Sequence, residues 1–578
     1  MEPSPEVTAD RLAAFFADKV DGVRTATATA EPPTFTLHSG QRMDAFQEVS
    51  MEDVRRVLMH SPPKTCVLDP LPTQVLRDVV DILLPFIWVM CNASLREGQL
   101  PTSQKVAVVT PVLKKPNADP DDLKNYRPIS NLTFTSKVIE RLVAEQITRH
   151  LIEANLMPPL QSAYRSHHST ETALMKVLSD ILDAADLSKV TLLGLLDLSA
   201  AFDTVDHSIL LQRLQISFGV DGVVLEWFRS FLSDRSQAVA FRGVTSTYTA
   251  LRYGVPQGSV LGPLLFLLYT ADVASIAQRH GVSVHAYADD TQLYASCPAA
   301  VGQTSATSLL HCIDDISRWM SSNRLKLNPD KTQFIWLGSS QQLEKVGNVR
   351  LTVGGVDVSP LDCVRDLGVT LDSQLTMKQH TDIVARSCFY QLRQLRSVRR
   401  SLTLEALRTV VQAFVISRVD YCNAVLYGVA VQVVRRLQAV LHAAARLISG
   451  TRLYEHITPT LRDTLHWLPA AQRIEYKVAI IAFNCVRGTC PAYFRDVCRP
   501  VSTVAGRAGL RSASNNDLVV PRCRGKRYGP RSIRISAPSV WNTLPVDLRS
   551  NTISREQFCR GLKTCLFNRA YYTSEAPL

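Results

Sequence analysis

The run from Val282 to Tyr294 constrains the fold more than any other part of the chain. Alternating or apolar residues on both sides of Tyr287-Ala288-Asp289-Asp290 predict two short strands joined by a tight turn. The adjacent aspartates then project together from a hairpin tip. Two neighbouring like charges are costly unless a cation neutralises them. Hard carboxylate oxygens held this way suit Mg²⁺, and a pair of such ions can clamp the attacking and leaving oxygens of a phosphoryl transfer. The four residues alone fit a solvated turn equally well, because turns favour Asp for local reasons.

Upstream, Val190-Thr191-Leu192-Leu193-Gly194-Leu195-Leu196 is nearly all apolar, the pattern of a strand buried on both faces, and it ends at Asp197. An ionised carboxylate at the end of a buried strand needs a partner or a metal. Leu198 to Asp203 then leads into Asp206-His207-Ser208-Ile209-Leu210-Leu211, where apolar spacing changes to that of a helix. Between these segments, Tyr253-Gly254-Val255-Pro256-Gln257-Gly258-Ser259-Val260-Leu261-Gly262-Pro263 precedes an apolar helix from Leu264 to Tyr269. Gly258 would let the backbone approach a ligand, and Gln257 would offer an amide to a template base or incoming nucleotide. The punctuation is also that of an ordinary Gly/Pro loop.

In this order the three segments closely resemble the palm of reverse transcriptases of the non-LTR (LINE-type) retrotransposons, jockey-like and related clades. The resemblance extends to Asn125-Tyr126-Arg127-Pro128-Ile129-Ser130, to Gln161-Ser162-Ala163-Tyr164-Arg165, and to Leu325-Lys326-Leu327-Asn328-Pro329-Asp330-Lys331-Thr332. It continues through Asp420-Tyr421-Cys422-Asn423, His456-Ile457-Thr458-Pro459 and Leu465-His466-Trp467-Leu468-Pro469, covering nearly the whole chain. It implies an α+β right-hand polymerase: fingers and palm, with an antiparallel palm sheet and packing helices, then a helical thumb and a basic C-terminal region. The expected segments are 1–94, a helical extension with a disordered linker from Thr25 to Pro33 and a helix capped by Ser50 and Asp53; 95–372, fingers and palm; 373–450, thumb, with Val384 to Ser397 and Leu404 to Ile416 helical; and 451–578, the basic region.

The activity implied is RNA-directed DNA synthesis, extending a primer 3′-hydroxyl with deoxynucleotides on an RNA template, with a DNA primer or target as partner. Asp197, Asp289 and Asp290 would hold two Mg²⁺ ions, with Mn²⁺ able to substitute. Phe202 would stand against the sugar and exclude a 2′-hydroxyl; its alternative is an aromatic packed in the core at a helix start. Arg127 would contact the triphosphate through its planar fork of donors. Lys331 would protonate the departing pyrophosphate. Lys115 is a further phosphate candidate, although for Lys114 and Lys115 a solvated role is the better reading.

The net charge of +12 is uneven. From Arg499 to Arg534 there are nine basic residues against Asp517 alone, among them Arg522, Arg524, Lys526 and Arg527. Such a run is usually a solvated segment, but it also suits phosphate contact. Arg386, Arg393 and Arg396 lie on one basic face of a helix in the expected thumb. The thirteen cysteines contain no Cys-x-x-Cys pair, which argues for free thiols in a reducing compartment rather than for zinc. The apolar window Ile82 to Cys91 is too short to span a bilayer, and neither secretion nor a membrane partner is expected. Nuclear and/or cytoplasmic location is expected, with Arg522 to Arg527 a weak import candidate. An endonuclease constellation is not expected in residues 1–94. The intact acidic, Gln257, Phe202, Arg127 and Lys331 set favours an active polymerase; the alternative is a catalytically silent, retrotransposon-derived RNA-binding protein.

Overall fold

The computed structural model describes residues 3–347, 349–507 and 509–572. By compactness the chain divides into two units: Met1–Tyr164 with Asp197–Ala277 and Cys312–Pro329, and Arg165–Leu196 with Gln278–His311 and Asp330–Leu578.

The first unit is built on a five-stranded sheet. Its central strand Val106–Leu113, rich in valine, pairs antiparallel with Tyr126–Asn131 and parallel with Ser236–Phe241. The parallel partner lies far along the chain, so the helices between them complete the crossover. The helix Ala9–Ala26 is capped by the Thr8 side chain, and its Leu12 packs with Val109, Tyr126 and Val239 on this sheet. The expected disordered linker from Thr25 to Pro33 is corrected at its start. Thr27 is buried, its hydroxyl donates to the Val23 carbonyl at 3.0 Å, and its own carbonyl accepts from Arg324. Satisfying the last carbonyls of the helix in this way removes the reason for that stretch to fray. The helix Met51–His60 begins in the Ser50/Asp53 capping box expected from the sequence. The stretch Leu261–Arg279 is long and apolar enough to cross a membrane by composition. It is two helices, Leu261–Tyr269 and Val273–Arg279, and the first is buried along nearly its whole length.

The second unit contains a four-stranded antiparallel sheet, in the order Ser283–Tyr287, Asp290–Cys297, Val190–Leu196, Gln333–Leu337. Val190–Leu196 is buried at all but one position, so both its faces are covered and it reads as a continuous apolar run although the sheet is antiparallel. At Gly194 a β-carbon would stand 2.8 Å from the Phe334 ring, so glycine is what lets the neighbouring strand's aromatic lie flat. The helix Thr170–Asp186 contributes Leu174, Leu178 and Ile181 to a core shared with Leu193, Tyr294 and Ile335. That core continues without a break into the helices Lys378–Val398, Val431–Ser449, Ala470–Val486, Ile533–Asn542 and Arg555–Tyr571. Residues 373–450 and 451–578 therefore share one hydrophobic interior with the sheet. Leu404 to Ile416, read as one helix, is an α-helix Leu404–Val411 running into a π-turn Gln412–Ile416.

Candidate active site

The first unit holds Asp197, Phe202, Gln257, Gly258, Arg127 and Lys115. Asp197 follows the strand end directly, and its carbonyl accepts from the Asn328 backbone N–H at 2.9 Å. Ser199 N–H donates to Lys326 at 2.9 Å, and Leu198 bridges Leu327, so the Leu325 to Asn328 motif braces the segment just beyond the strand. Ala200 takes φ of +53°, which turns the chain sharply towards Phe202. The Phe202 ring stacks on Phe266, centroids 4.5 Å apart at 24°, leaving it only half-buried. Its carbonyl accepts from Val255 N–H at 2.9 Å, which ties the ring's backbone to the Gln257 loop.

Gln257 is fixed at both ends. Its carbonyl accepts from Ser130 N–H at 2.8 Å, and its side-chain amide donates to Asp203 Oδ1 at 2.9 Å. Burial pushes the Asp203 carboxyl up to about 6, with the Lys19 charge and the Gln257 amide offsetting part of the rise. Gly258 makes its close approach to protein rather than to open space. At φ of +137° a β-carbon there would lie 2.2 Å from the Ser130 carbonyl oxygen. Arg127 is exposed on the same strand as Ser130, opposite Val112, and Lys115 is exposed just past the partner strand's end. A cleft of about 570 Å³ is lined by Asp203, Gln257, Tyr253 and Arg252 together with Phe16 and Val20 of the first helix.

Sequence reasoning missed Asp203 and Glu140. Glu140 is fully buried on the helix Phe134–Glu153. It accepts from the Ser259 hydroxyl at 2.6 Å, from Val260 N–H at 2.7 Å and from Leu261 N–H at 3.1 Å. It thus caps the helix that follows Gln257-Gly258 with a carboxylate from a distant element, at the end where the helix dipole favours negative charge. A lone glutamate between Ile139 and Arg141 carries no periodic signal of such a role.

The second unit holds Asp289, Asp290 and Lys331. The hairpin forms as expected, with Tyr287 opposite Asp290 and Ala288 at φ of +57°, a left-handed conformation that hairpin turns require and that glycine usually fills. Asp289 is half-buried and Asp290 exposed. Behind the hairpin, the Gln292 amide donates to Asp366 Oδ1 at 2.7 Å. Burial pushes the Asp366 carboxyl up to about 7, the Gln292 bond partly offsetting this and the Asp290 charge adding to it. Lys331 is exposed at the end of the 3₁₀ turn Pro329–Lys331. Among the described residues no three His, Cys, Asp or Glu side chains are gathered as a ready-made metal cage.

The remaining candidates lie on the surface of the second unit. Arg386, Arg393 and Arg396 are exposed on the helix Lys378–Val398, beside exposed Phe389 and Tyr390. Arg522, Arg524, Lys526 and Arg527 are exposed on a loop. The basic run around them is not uniformly available: Arg531 is buried and donates to the Leu375 carbonyl at 2.8 Å, and Arg534 pairs with Asp183 at 3.2 Å.

Residues 113–371 match the family described as "Reverse transcriptase (RNA-dependent DNA polymerase)". Curated relatives include the "RNA-directed DNA polymerase from mobile element jockey" of Drosophila funebris, 28% identical over 84% of this chain and 52% of its own. Two from Drosophila melanogaster are the "Probable RNA-directed DNA polymerase from transposon BS", 29% identical over 65% of this chain and 42% of its own, and the "Probable RNA-directed DNA polymerase from transposon X-element", 29% identical over 65% and 41%. The chain spans about half the length of these relatives. Residues 113–371 thus match the reverse transcriptase family, and the chain resembles the RNA-directed DNA polymerases of the jockey, BS and X-element mobile elements.

Proposed function

We propose that this chain is an RNA-directed DNA polymerase of a non-LTR retrotransposon, extending a primer 3′-hydroxyl with deoxynucleotides on an RNA template. The observation that carries the reading is the register of the sheet. Leu196 pairs with Thr291, so the next residue along one strand is Asp197 and the preceding residue on the other is Asp290. The Asp289-Asp290 turn, and the Asp197 that follows Leu196 in the chain, offer hard oxygen donors of the kind Mg²⁺ takes. Mg²⁺ bound there would supply Lewis acidity to the attacking hydroxyl and charge neutralisation to the triphosphate, and Mn²⁺ would serve in its place.

The chain's own residues do the rest. Arg127 presents a guanidinium fork from a strand edge to triphosphate oxygens. Phe202, held by its stack on Phe266, offers a rigid wall against which a 2′-hydroxyl would be excluded. Gln257, with its carbonyl tied to Ser130 and its amide to Asp203, meets the nucleotide or template base in one orientation, so little side-chain entropy is lost on binding. Lys331 delivers a proton to the departing pyrophosphate. Arg386, Arg393 and Arg396, with Tyr390 between them, form a thumb face for the template-primer backbone. The test is primer extension on an RNA template with Mg²⁺ and deoxynucleotides, comparing the natural chain with Asp289→Asn. Extension by the natural chain alone supports the reading; binding of the duplex by both without extension by either sinks it.

A further inference from the structure

The loop Arg522–Gly529 is held by an unusual acceptor. Asp186 is the last residue of the helix Thr170–Asp186, the end where the helix dipole disfavours a carboxylate. Its oxygens accept from the backbone N–H groups of Arg524 at 2.6 Å, Gly525 at 2.8 Å and Gly529 at 3.3 Å. Both glycines are there for that approach: a β-carbon on Gly529 would stand 2.8 Å from Asp186 Oδ1 and one on Gly525 would stand 3.0 Å away. On the far side, buried Tyr528 donates its hydroxyl to the Gly338 carbonyl at 3.3 Å, and Arg531 is tied to Leu375. A loop of this composition would ordinarily be mobile, yet it is pinned through its backbone at both ends.

The pinning leaves the side chains of Arg522, Arg524, Lys526 and Arg527 exposed together, and none of the four makes an ion pair among the described residues. No acidic residue occurs between Asp517 and Asp547. The nearest carboxylate, Asp186, is occupied with backbone N–H groups. The loop lies at the Val190 end of the sheet: the Asp186 helix leads into that strand, and Gly338 follows the strand whose Leu337 pairs with Thr191. Asp289 and Asp290 mark the other end, a seven-residue strand away, or roughly 20 Å at about 3.3 Å per residue.

We propose that the Arg522–Gly529 loop is a second nucleic-acid site, gripping phosphates of the template RNA at a distance from the primer terminus. The proposal rests on the polymerase reading for the identity of its ligand. Four cations held on a fixed backbone fit a phosphate chain. The separation corresponds to about six nucleotides or more at roughly 3.4 Å each, so the contact falls on RNA outside the primer end. It would keep the template attached between rounds of primer engagement.

The experiment compares the full chain with Arg522→Ala/Arg524→Ala/Lys526→Ala/Arg527→Ala and, separately, with Asp186→Ala, each checked for unchanged thermal unfolding. Binding of a long single-stranded RNA is measured across a salt series. The fourfold variant is expected to lose ten-fold or more in affinity at moderate salt. Its log-log salt slope should be shallower by about 2 to 3, from four phosphate contacts at about 0.7 each. Extension on a short pre-annealed template that ends near the primer should be unchanged. Asp186→Ala raises the local net charge, so attraction by charge alone predicts tighter binding; a loop that works because it is held predicts binding about three-fold weaker. An unchanged salt slope, equal loss of extension on the short template, or tighter binding by Asp186→Ala overturns the proposal. So does loss of binding to phosphatidylserine vesicles with RNA binding intact, which would assign the loop to a lipid surface. If the natural chain fails to extend any primer while the slope still falls, the polymerase reading fails and the loop's assignment to RNA stands.

Discussion

Asp203 and Phe202 are neighbours in the chain, and each yields a prediction. Asp203 has a folded-state value near 6 against an ordinary 3.8. Below about pH 4 both folded and unfolded chains hold the proton, and the group adds no pH dependence. Between about 4 and 6 the folded chain keeps a proton that the unfolded chain has lost, so stability falls as pH rises; above 6 the deficit is constant. Asp203→Asn, which keeps an oxygen for the Gln257 amide, should remove that slope. It should stabilise the protein above pH 6 by up to about 3 kcal/mol, read from urea midpoints across the range. Phe202→Ala should relax sugar selection, reducing discrimination against ribonucleotides by about 10- to 200-fold, the span open to apolar contact differences, as read by kcat/KM for matched nucleotide pairs. At this scale the sequence was informative where a residue advertises its chemistry. Asp289, Asp290 and Gln257 stand in turns of marked composition. Asp203 and Glu140 went unread because their roles depend on which distant element arrives beside them, and one-dimensional spacing does not carry that.

Elements here are held by carboxylates that belong to other elements. Glu140 caps the helix Leu261–Tyr269 from the helix Phe134–Glu153, and removing it strands the buried Ser259 hydroxyl and the half-buried Val260 N–H, while Leu261 N–H keeps its 3.1 Å bond to Ser259 Oγ. Glu140→Ala should cost about 3 kcal/mol or more, measured by chemical denaturation. Glu140→Gln, which keeps one oxygen, should cost less and should raise KM for deoxynucleotides by loosening the Gln257 loop. The hairpin carrying Asp289 and Asp290 has its own constraint at Ala288. Ala288→Val places a branched side chain in the left-handed region and should cost about 1–2 kcal/mol, seen as a lower unfolding midpoint with reduced extension activity. The strands and the Ser50-capped helix were legible because period and caps are local. The start of the expected linker was misread because composition suggested disorder while Thr27 and Arg324 supply the missing hydrogen bonds.

On the scale of the molecule, sequence motifs divide the second unit at 372 and 450, whereas packing does not. Phe483 stacks on Phe558 with centroids 4.3 Å apart, and Trp541 lies against Phe558 in the same interior that receives Leu193 from the sheet. A chain cut after residue 450 loses these rings and should be insoluble or melt without a cooperative transition, as circular dichroism would show against the full chain. Homology marks what a segment does in catalysis, but burial decides what folds with it, and only the first is written in motifs. The first unit has a comparable dependence. Leu12 lies on Val239, and Val108 pairs in register with Ala238. The opening helix therefore leaves the ribosome well before the strand that will cover it, roughly 10–45 s earlier at ordinary rates of elongation. Throughout that interval its apolar stripe is available to chaperones and to neighbouring nascent chains.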